Sequence, residues 1–470
     1  MTNYGFVIDN RTCIGCHACT VACKSEHDIP IGVNRTHVKY IEKGSFPNST
    51  REFSVHRCNH CEDSPCTTIC PTTALFTRAD GIVDFDDDRC IGCKSCMQAC
   101  PYDALYIDPN NGTAAKCNYC AHRIENSYEP ACVIVCPTES IVSGDLDDPE
   151  SRISQIVSNQ NTSVRKPESG ANPNVYYLET SDEMLDPGAT EVSASGMWTE
   201  QVFGVGHFAK YAESRLEVAD TTSMIVQLAL EKKANKAAPR DQAIIRDVME
   251  RLSDESEDAK RTYDQPSKGV LWGWEVSAYI WTKGICSGTY VVAILAMLFG
   301  LVEMTDGLWA LTIAVGIVFL GLTGILLVID LDRPERFLYV LLRPNWDSWL
   351  VKGAYILSGY GGILAASGAV LVLDLDRSIL TFLAVAGLPL AVLTGIYTAW
   401  LLMQAKGRSW SQDSLLPAKF LLETLVVGAA VFIPLATMEP LSIGMGVIVL
   451  AAVLIHDKRL VLKPQMEPLL

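Results

Sequence analysis

Cysteine is the residue type whose spacing in this chain most directly indicates chemistry. Of the 17 cysteines, Cys286 stands alone and the other sixteen lie between Cys13 and Cys136. They form four groups, of which two have the spacing C-x2-C-x2-C-x3-C. The groups are Cys13, Cys16, Cys19 and Cys23; Cys58, Cys61, Cys66 and Cys70; Cys90, Cys93, Cys96 and Cys100; and Cys117, Cys120, Cys132 and Cys136.

This spacing suits an iron–sulfur cluster. Three cysteines two residues apart place three thiolates on one tight loop, where they can bind three corners of a [4Fe–4S] cluster. The fourth lies on the following helix and binds the neighbouring cluster, so such groups occur in interlocking pairs. Gly15 and Gly92 let the loop backbone approach the cluster closely. Zinc sites more often use C-x2-C pairs at longer separations. The sequence therefore predicts four [4Fe–4S] clusters with no thiolate left over.

Four clusters in a row predict a path for single electrons, which needs a donor at one end and an acceptor at the other. The histidines near the cysteine loops are interpreted as surface or supporting residues, because cysteine already completes the ligand count. These histidines are His17, His27, His56, His60 and His122.

Charge and the first residues of the sequence restrict the setting. The net charge of −16 argues against a nucleic-acid partner, since phosphate binding needs a basic face. Disulfides are an alternative use of cysteine, typical of small secreted domains. The segment MTNYGFVIDN has neither an export signal nor a twin-arginine pair. We expect a cytoplasmic N-terminal module with reduced thiols.

The sequence changes character near residue 268, after which apolar residues dominate. Six apolar runs follow, and a helix needs about 20 such residues to cross about 30 Å of hydrocarbon. The runs are 284–302, 308–329, 353–373, 378–403, 420–437 and 441–455. We therefore predict an all-α transmembrane bundle of about six spans.

Basic residues before span 1, after spans 2 and 4 and in the tail predict an orientation. They are Lys260, Arg261, Lys268, Arg333, Arg336, Arg343, Lys406, Arg408, Lys419, Lys458, Arg459 and Lys463. By the positive-inside rule, both termini and the cysteine module face the cytoplasm. The alternative is that these basic loops serve docking.

The cysteine segments resemble a known family. CIGCHACTVACK, CNHCEDSPCTTICP, CIGCKSCMQACPYDA, CNYCAHRI and PACVIVCPT are similar to segments of the iron–sulfur subunit of complex iron–sulfur molybdoenzymes, such as polysulfide, dimethyl sulfoxide and tetrathionate reductases. The resemblance implies an α+β ferredoxin-like tandem [4Fe–4S] domain over residues 1–180. It also implies crossed ligand sets: Cys13, Cys16, Cys19 and Cys136; Cys117, Cys120, Cys132 and Cys23; Cys58, Cys61, Cys66 and Cys100; and Cys90, Cys93, Cys96 and Cys70.

The C-terminal part, residues 269–470, resembles the polysulfide reductase membrane-subunit family. WGWEVSAYIWTKGICSG, DLDRPERF and GIYTAWLL carry this resemblance. It implies a bundle whose first four helices form a quinone pocket at the face nearest the clusters. Familiar members have eight or more spans, so this chain departs from them in its outer helices. Between the two modules, residues 181–268 form a predicted connector with an amphipathic helix near 239–258.

Ionisable residues in or beside spans are costly and therefore point to function. We predict Tyr397 as a hydrogen-bond donor to a quinone carbonyl, with Lys283, Tyr279 and Glu275 at the mouth of span 1. The alternatives are that Tyr397 is an interface aromatic residue and that the Lys283 amine extends to the headgroups. Glu423 is a candidate for a proton path. Two further predictions are that Cys286 is a packing residue and that an ion-pair cap between spans 2 and 3 is formed by Asp330, Asp332, Arg333 and Arg336.

The sequence thus predicts a subunit that carries electrons between a partner and the quinone pool, menaquinone or ubiquinone. The resemblance implies that the partner is a large catalytic subunit with a molybdenum or tungsten pterin. An alternative is a free-standing ferredoxin:quinone oxidoreductase, although the acidic protein would repel acidic ferredoxins. A third hypothesis is a redox-sensing membrane protein without turnover. It predicts fewer clusters and an attached signalling domain, and the sequence shows neither.

Overall fold

The computed structural model describes residues 2–44, 49–192, 259–264 and 268–467. The connector helix predicted near 239–258 lies outside these residues. The described residues form an α+β module that carries the sixteen grouped cysteines, followed by a bundle of long apolar helices. The predicted fold class is confirmed.

A four-stranded sheet supports one side of the cysteine module. Its strand order is β8-β1-β10-β9, with β1 parallel to β10 and antiparallel to β8. Phe6, Val7 and Ile8 in β1 are fully buried because both faces of the sheet are covered. Helix α6 covers one face, and residues around Tyr119 pack on the other. The bounds are β1 Tyr4–Asp9, β8 Ile141–Asp145, α6 Arg152–Asn159, β9 Thr162–Ser163 and β10 Val175–Leu178.

A second sheet joins both described ends of the connector to the cysteine module. Its strand order is β11-β12-β2-β3. Strand β12, near the C-terminal end of the connector, therefore pairs with β2 of the cysteine module. The Asp264 carboxylate accepts hydrogen bonds from Lys39 at 3.0 Å and Arg261 at 2.7 Å. The strands are β2 His37–Lys43, β3 Thr50–His56, β11 Glu191–Val192 and β12 Lys260–Tyr263.

Short helices hold the cysteine groups. In the middle of the module, a helix followed by a two-stranded hairpin occurs twice: α2 with β4–β5, and α3 with β6–β7. This repeat is the tandem arrangement that the resemblance implied. The bounds are α1 Ala18–Glu26, α2 Pro65–Ile69, β4 Leu75–Thr77, β5 Val83–Phe85, α3 Ser95–Ala99, β6 Leu105–Ile107, β7 Ala114–Lys116, α4 Ala121–Ile124, α5 Ala131–Ile134 and α7 Asp182–Leu185.

In the described C-terminal part, six helices are long and apolar enough to cross a membrane, as predicted. The first of these helices is the central one. In its most apolar stretch 72% of the residues are buried inside the protein, compared with 11–33% in the other five helices. The helices are α8 Trp274–Leu298, α9 Asp306–Ile329, α11 Trp349–Val372, α12 Arg377–Gln404, α13 Leu416–Thr437 and α14 Pro440–Met466; a short helix, α10, spans Tyr339–Leu342.

Two helices extend beyond the predicted apolar runs. Helix α8 begins at Trp274, ten residues before the run at 284, and the polar residues Ser277, Thr282 and Lys283 of this early part are buried inside the protein. Helix α14 continues to Met466, and its last turns contact the cysteine module. Close contact between α8 and α13 is possible because Gly288 lies against Gly428 and the Thr424 carbonyl.

Candidate functional site

One cavity of the cysteine module is lined by cysteines from two different sequence groups. Cys90, Cys93 and Cys96 come from the loop before α3 and from its first turn, while Cys70 follows α2. The wall also contains Lys94 and Pro71 among other residues. Three loop cysteines therefore face a fourth from the end of a neighbouring helix.

A second cavity repeats this arrangement in the opposite sense. Cys58, Cys61 and Cys66 come from the loop and first turn of α2, and Cys100 comes from the end of α3. Helices α2 and α3 pack side by side, which brings the last cysteine of each group beside the other group.

The other two groups are brought together in the same way. Cys13 interacts electrostatically with Cys136 and with Cys16. Cys23 interacts with Cys132 and Cys120, again across groups. Helix α1 packs against α5, which accounts for the exchange of partners.

The donor sets fit iron–sulfur clusters. Burial raises the pKa of the Cys93 thiol to about 12 and that of Cys100 to about 11. Thiols in such surroundings become thiolate ligands when metal binding offsets the cost of the buried charge. Backbone N–H groups of Ala114 and His60 point at Cys90 and Cys58, at 3.3 and 3.5 Å. In the described part of the chain, no three His, Cys, Asp or Glu residues converge on a single metal ion.

The loop that carries Cys90 and Cys93 has no room for a side chain at Gly92. Gly92 has φ +69°, and a Cβ there would lie 2.8 Å from the Gly112 carbonyl and 2.7 Å from Asp332 Cβ. The loop of Cys90 and Cys93 is therefore pressed between a hairpin of its own module and the membrane module.

Two histidine interpretations are refined by the structure. His27 Nε2 lies 3.2 Å from Cys120 Sγ, so this ring supports a cysteine directly. Burial, with the Arg35 and His122 charges, lowers the pKa of His27 to about 4. His122 is instead on the surface beside Glu26, at 2.7 Å.

The membrane module contacts the cluster loops through their cysteine carbonyls. Trp272 Nε1 donates to the Cys93 carbonyl at 3.2 Å, and Arg336 donates to that of Cys90 at 3.1 Å. Asn345 Nδ2 donates to the Cys70 carbonyl at 2.7 Å. Three of the cysteines that line the first cavity are thus held from the membrane side.

The predicted ion-pair cap between spans 2 and 3 is wrong. Asp332 instead pairs with Lys94 of the cysteine module at 3.1 Å. Arg333 donates to the Asn111 carbonyl, and Arg336 to the Asp87 carbonyl at 2.6 Å. These charges lie on the loop after α9, which packs on the Cys90 loop. Their partners therefore come from the cysteine module, apart from Glu335 of the same loop, which pairs with Arg333 at 3.2 Å.

Lys283 lies inside the helix bundle, where its side chain is 1% exposed. Its ammonium donates to Thr398 Oγ1 at 2.6 Å and lies 4.6 Å from the centre of the Tyr397 ring. Tyr279 and Tyr397 are also buried. Lys283 thus points into the bundle, where the buried Tyr397 ring lies beside it.

Glu275 occupies a different position, at the first turn of α8. It is partly exposed and acts electrostatically on Asp330 at the end of α9. The pKa of Asp330 is raised to about 7, mainly by burial; Lys94 opposes the shift, and Glu275 and Asp332 add to it. The four predicted residues therefore fall in two places: a buried group of three, and Glu275 at the rim.

Comparisons with known proteins agree with this two-module arrangement. Residues 50–146 match the 4Fe–4S dicluster domain family, and residues 263–439 match the family described as polysulphide reductase, NrfD. A tetrathionate reductase subunit of Salmonella typhimurium is 42% identical over 188 residues, covering 39% of this chain and 75% of the relative. A polysulfide reductase component of Wolinella succinogenes is also 42% identical, over 178 residues, covering 37% and 93%.

This protein therefore belongs to the family of reductase iron–sulfur subunits. A third relative, the arsenate respiratory reductase iron–sulfur subunit ArrB of Shewanella, is 33% identical over 224 residues, covering 37% of this chain and 96% of the relative. In this member an NrfD-type membrane anchor follows on the same polypeptide. The sequence resemblance and the multi-pass membrane assignment are both confirmed.

Sequence reasoning missed three buried polar residues of this iron–sulfur and anchor fusion. Arg57 donates to Cys132 Sγ at 3.1 Å and interacts with Cys19 and Cys117. Thr398 accepts the Lys283 hydrogen bond, and Asp457 is fully buried in α14. Asp457 follows an apolar run within one helix, a signal that could have been used; Arg57 and Thr398 have no comparable signature.

Proposed function

We propose that the protein carries electrons between a catalytic partner subunit and a quinone in the membrane, through four [4Fe–4S] clusters. The observation that carries this proposal is the contact from the anchor to the cluster loops. Trp272, Arg336 and Asn345 donate hydrogen bonds to carbonyls of the cysteines lining one cavity. A cluster there would lie beside the segment that leads into α8, the first helix of the anchor.

Each cluster would be held by the crossed sets: Cys13, Cys16, Cys19 and Cys136; Cys117, Cys120, Cys132 and Cys23; Cys58, Cys61, Cys66 and Cys100; and Cys90, Cys93, Cys96 and Cys70. The cavity linings and electrostatic neighbours described above support this assignment. When bound, such clusters accept and release one electron at a time. In this proposal the last set is nearest the membrane anchor, because the anchor donates hydrogen bonds to the Cys70, Cys90 and Cys93 carbonyls.

The opposite end of the cluster row is the proposed contact with the catalytic partner. Cys16 is exposed there, and exposed apolar side chains surround it on α1, α5 and the adjoining loops. These side chains are Ile14, Val21, Ile134 and Val135. Apolar side chains gathered at a redox-active surface fit a protein interface. The relatives named as tetrathionate and polysulfide reductase components support a catalytic partner, for which we propose a molybdenum or tungsten pterin.

The proposed quinone site is the buried group in the first four membrane helices. Lys283 and Tyr397 supply an N–H and an O–H donor that could bind quinone carbonyls, with Tyr279 beside them. Thr398 orients Lys283 by accepting its hydrogen bond. Glu275, at the rim with Asp330, is proposed to act at the entrance. Menaquinone and ubiquinone both present the two carbonyls that this site would recognise.

We propose that the cluster module faces the cytoplasm. Arg333, Arg336 and Arg408 contact that module, so docking explains their charge. Other basic residues on the same side support the orientation by the positive-inside rule. They are Arg343, Lys406, Lys419, Lys458, Arg459 and Lys463. Trypsin should degrade the cluster module in inside-out vesicles and spare it in right-side-out vesicles; the reverse pattern would contradict this orientation.

Gentle anaerobic purification from membranes tests the main proposal. Iron, molybdenum and tungsten are assayed beside a gel of bound subunits. We expect about 16 iron per chain, as four [4Fe–4S] clusters require, with a large subunit and stoichiometric molybdenum or tungsten. Full iron without a partner or pterin metal would favour the ferredoxin:quinone oxidoreductase. Much less iron, or zinc in its place, would overturn the four-cluster assignment.

The quinone assignment has its own test. Clusters reduced with dithionite are mixed anaerobically with a water-soluble quinone analogue, and their reoxidation is followed by absorbance. Lys283→Met should slow reoxidation and leave the iron content unchanged. Wild-type protein that does not reduce the analogue would contradict the quinone assignment.

A further inference from the structure

Helix α14 presents one narrow stripe to the rest of the protein. Most of its residues face outward, and its buried residues are Gly446, Asp457, Val461 and Gln465. The last three are four residues apart, so they share one face of the helix. Asp457 is therefore directed into the bundle, although a buried carboxylate is costly.

The neighbours of Asp457 come from two other helices. Its carboxyl is 0% exposed and interacts with Glu423 of α13 and Lys283 of α8. Helices α8 and α13 cross closely here, since Gly288 lies against the Thr424 carbonyl. Three helices thus bring two carboxyls and one amine to one place in the helix bundle.

The hydrogen bonding of Asp457 indicates that either its carboxyl or that of Glu423 carries a proton. Among the described residues, no N–H or hydroxyl group donates to either Asp457 oxygen, and the Glu423 carboxyl is the side chain within hydrogen-bonding reach of Asp457. Two carboxyl groups can bond to each other only when one of them carries a proton. Two adjacent carboxylates away from water repel strongly, so such a pair retains one proton. One shared proton would also leave the pair with a single negative charge, which the Lys283 ammonium balances.

We propose that Glu423 and Asp457 form a proton-exchange site that serves the quinone through Lys283. This inference rests on the proposed quinone function. Reduction of a quinone to a quinol takes two electrons from the clusters and two protons. Lys283 gives one proton to a quinone oxygen and recovers it from the carboxyl pair, which is refilled from water. The second oxygen takes its proton from water at the rim, and quinol oxidation runs these steps backwards.

The contacts of Lys283 place its side chain between the Glu423–Asp457 pair and the proposed quinone site. Its ammonium is bonded to Thr398 Oγ1 and lies over the Tyr397 ring, while Glu423 and Asp457 act on it from the other helices. A residue that only balanced charge would not need to face Tyr397. This arrangement makes Lys283 the connection between the acid pair and the proposed quinone site.

The test uses the full-length protein in lipid nanodiscs with Asp457→Asn, Glu423→Gln and Asp457→Glu. Glu439→Gln is the matched control, because Glu439 caps the other end of α14 and is exposed. Reoxidation of dithionite-reduced clusters by a water-soluble quinone analogue should slow about 10²-fold in Asp457→Asn and Glu423→Gln, the scale for loss of a positioned proton-transfer group. Asp457→Glu should restore most of the rate, and Glu439→Gln should keep it. Cluster content and the cluster EPR spectrum report folding and should not change.

A second measurement does not depend on quinone. An apolar carbodiimide modifies protonated carboxyls in membranes, so mass spectrometry should find it on Glu423 or Asp457 at alkaline pH. Unlabelled carboxyls, or Asp457→Asn reoxidising at the wild-type rate, would overturn the proton-exchange site. A wild-type protein that does not react with quinone would overturn the proposed function, and labelling would then still decide whether the pair holds a proton.

Discussion

The side-chain amides of Gln98 and Gln465 form a hydrogen bond of 2.6 Å, although 367 positions separate them in the sequence. Gln98 lies in α3, beside the cluster cysteines Cys96 and Cys100, and Gln465 lies at the end of the last membrane helix. Both are fully buried. This contact fixes the anchor to the cluster module and brings the last helix back beside the start of the first.

Gln465→Ala should loosen this junction. Its carbonyl oxygen also accepts from the Leu271 and Trp272 backbone N–H groups, both at 2.9 Å. Truncation leaves these buried donors without an acceptor, at about 1–3 kcal/mol for each unsatisfied group. Thermal unfolding in detergent, followed by loss of cluster absorbance, should show a lower midpoint. Gln412→Ala is the control, because Gln412 is exposed; equal effects of the two changes would contradict the role of Gln465.

Gly353→Ala should disturb the proposed quinone site through Tyr397. A Cβ on Gly353 would lie 2.1 Å from the Tyr397 ring, so the ring must move. Overpacking of this kind costs about 1–3 kcal/mol, and reoxidation of reduced clusters by a quinone analogue should slow. Gly362→Ala on the same helix is the control, since no atom lies within 4 Å of that added carbon. The prediction fails if both variants react at the wild-type rate.

The crossed ligand sets can be separated by single cysteine changes. Cys70→Ser should perturb the same EPR signal as Cys93→Ser, because both cysteines line one cavity. It should differ from Cys61→Ser, which affects the other cavity, even though Cys61 belongs to the same sequence group as Cys70. Cys286→Ser should leave all signals intact, since Cys286 is a buried residue of the membrane bundle. If Cys70→Ser instead perturbed the same signal as Cys61→Ser and a different one from Cys93→Ser, each sequence group would bind its own cluster and the crossed sets would be wrong.

Asp330 should make the stability of the protein depend on pH. Burial raises its pKa from 3.8 to about 7 in the folded state, so the folded state binds more protons than the unfolded state between these values. Stability contributed by this group therefore falls as pH rises from about 4 to 7. Asp330→Asn should raise the thermal midpoint relative to wild type at pH 8, with a smaller gain at pH 5. A gain that does not depend on pH would contradict this assignment.

The local features of the cluster module could be predicted from the sequence. Three cysteines two residues apart must share one loop, because chain geometry alone holds them together. The membrane helices were predictable for a similar reason. An apolar run of about 20 residues must hydrogen-bond its own backbone in lipid, whatever its neighbours are.

Contacts between distant residues were not predictable in the same way. The loop charges Asp332 and Arg336 were predicted to belong to one ion-pair cap. Asp332 instead pairs with Lys94, and Arg336 donates to the Asp87 and Cys90 carbonyls. The sequence carries no local signal for a partner some 240 positions away. An amphipathic period indicates which face of a helix is buried, but not what covers it.

The amino-acid sequence by itself determined the cysteines available as cluster ligands, the approximate number of spans and the division into a cysteine module and an anchor. Each follows from residue type and short spacing. Residue spacing could not show that Cys70 joins the Cys90 group at one cavity, which the family resemblance implied, and only the tertiary structure decided that this cavity adjoins the membrane anchor. It also placed Asp457 beside Lys283 and Glu423. These relationships depend on how helices far apart in the sequence pack together, and packing is a property of the folded whole.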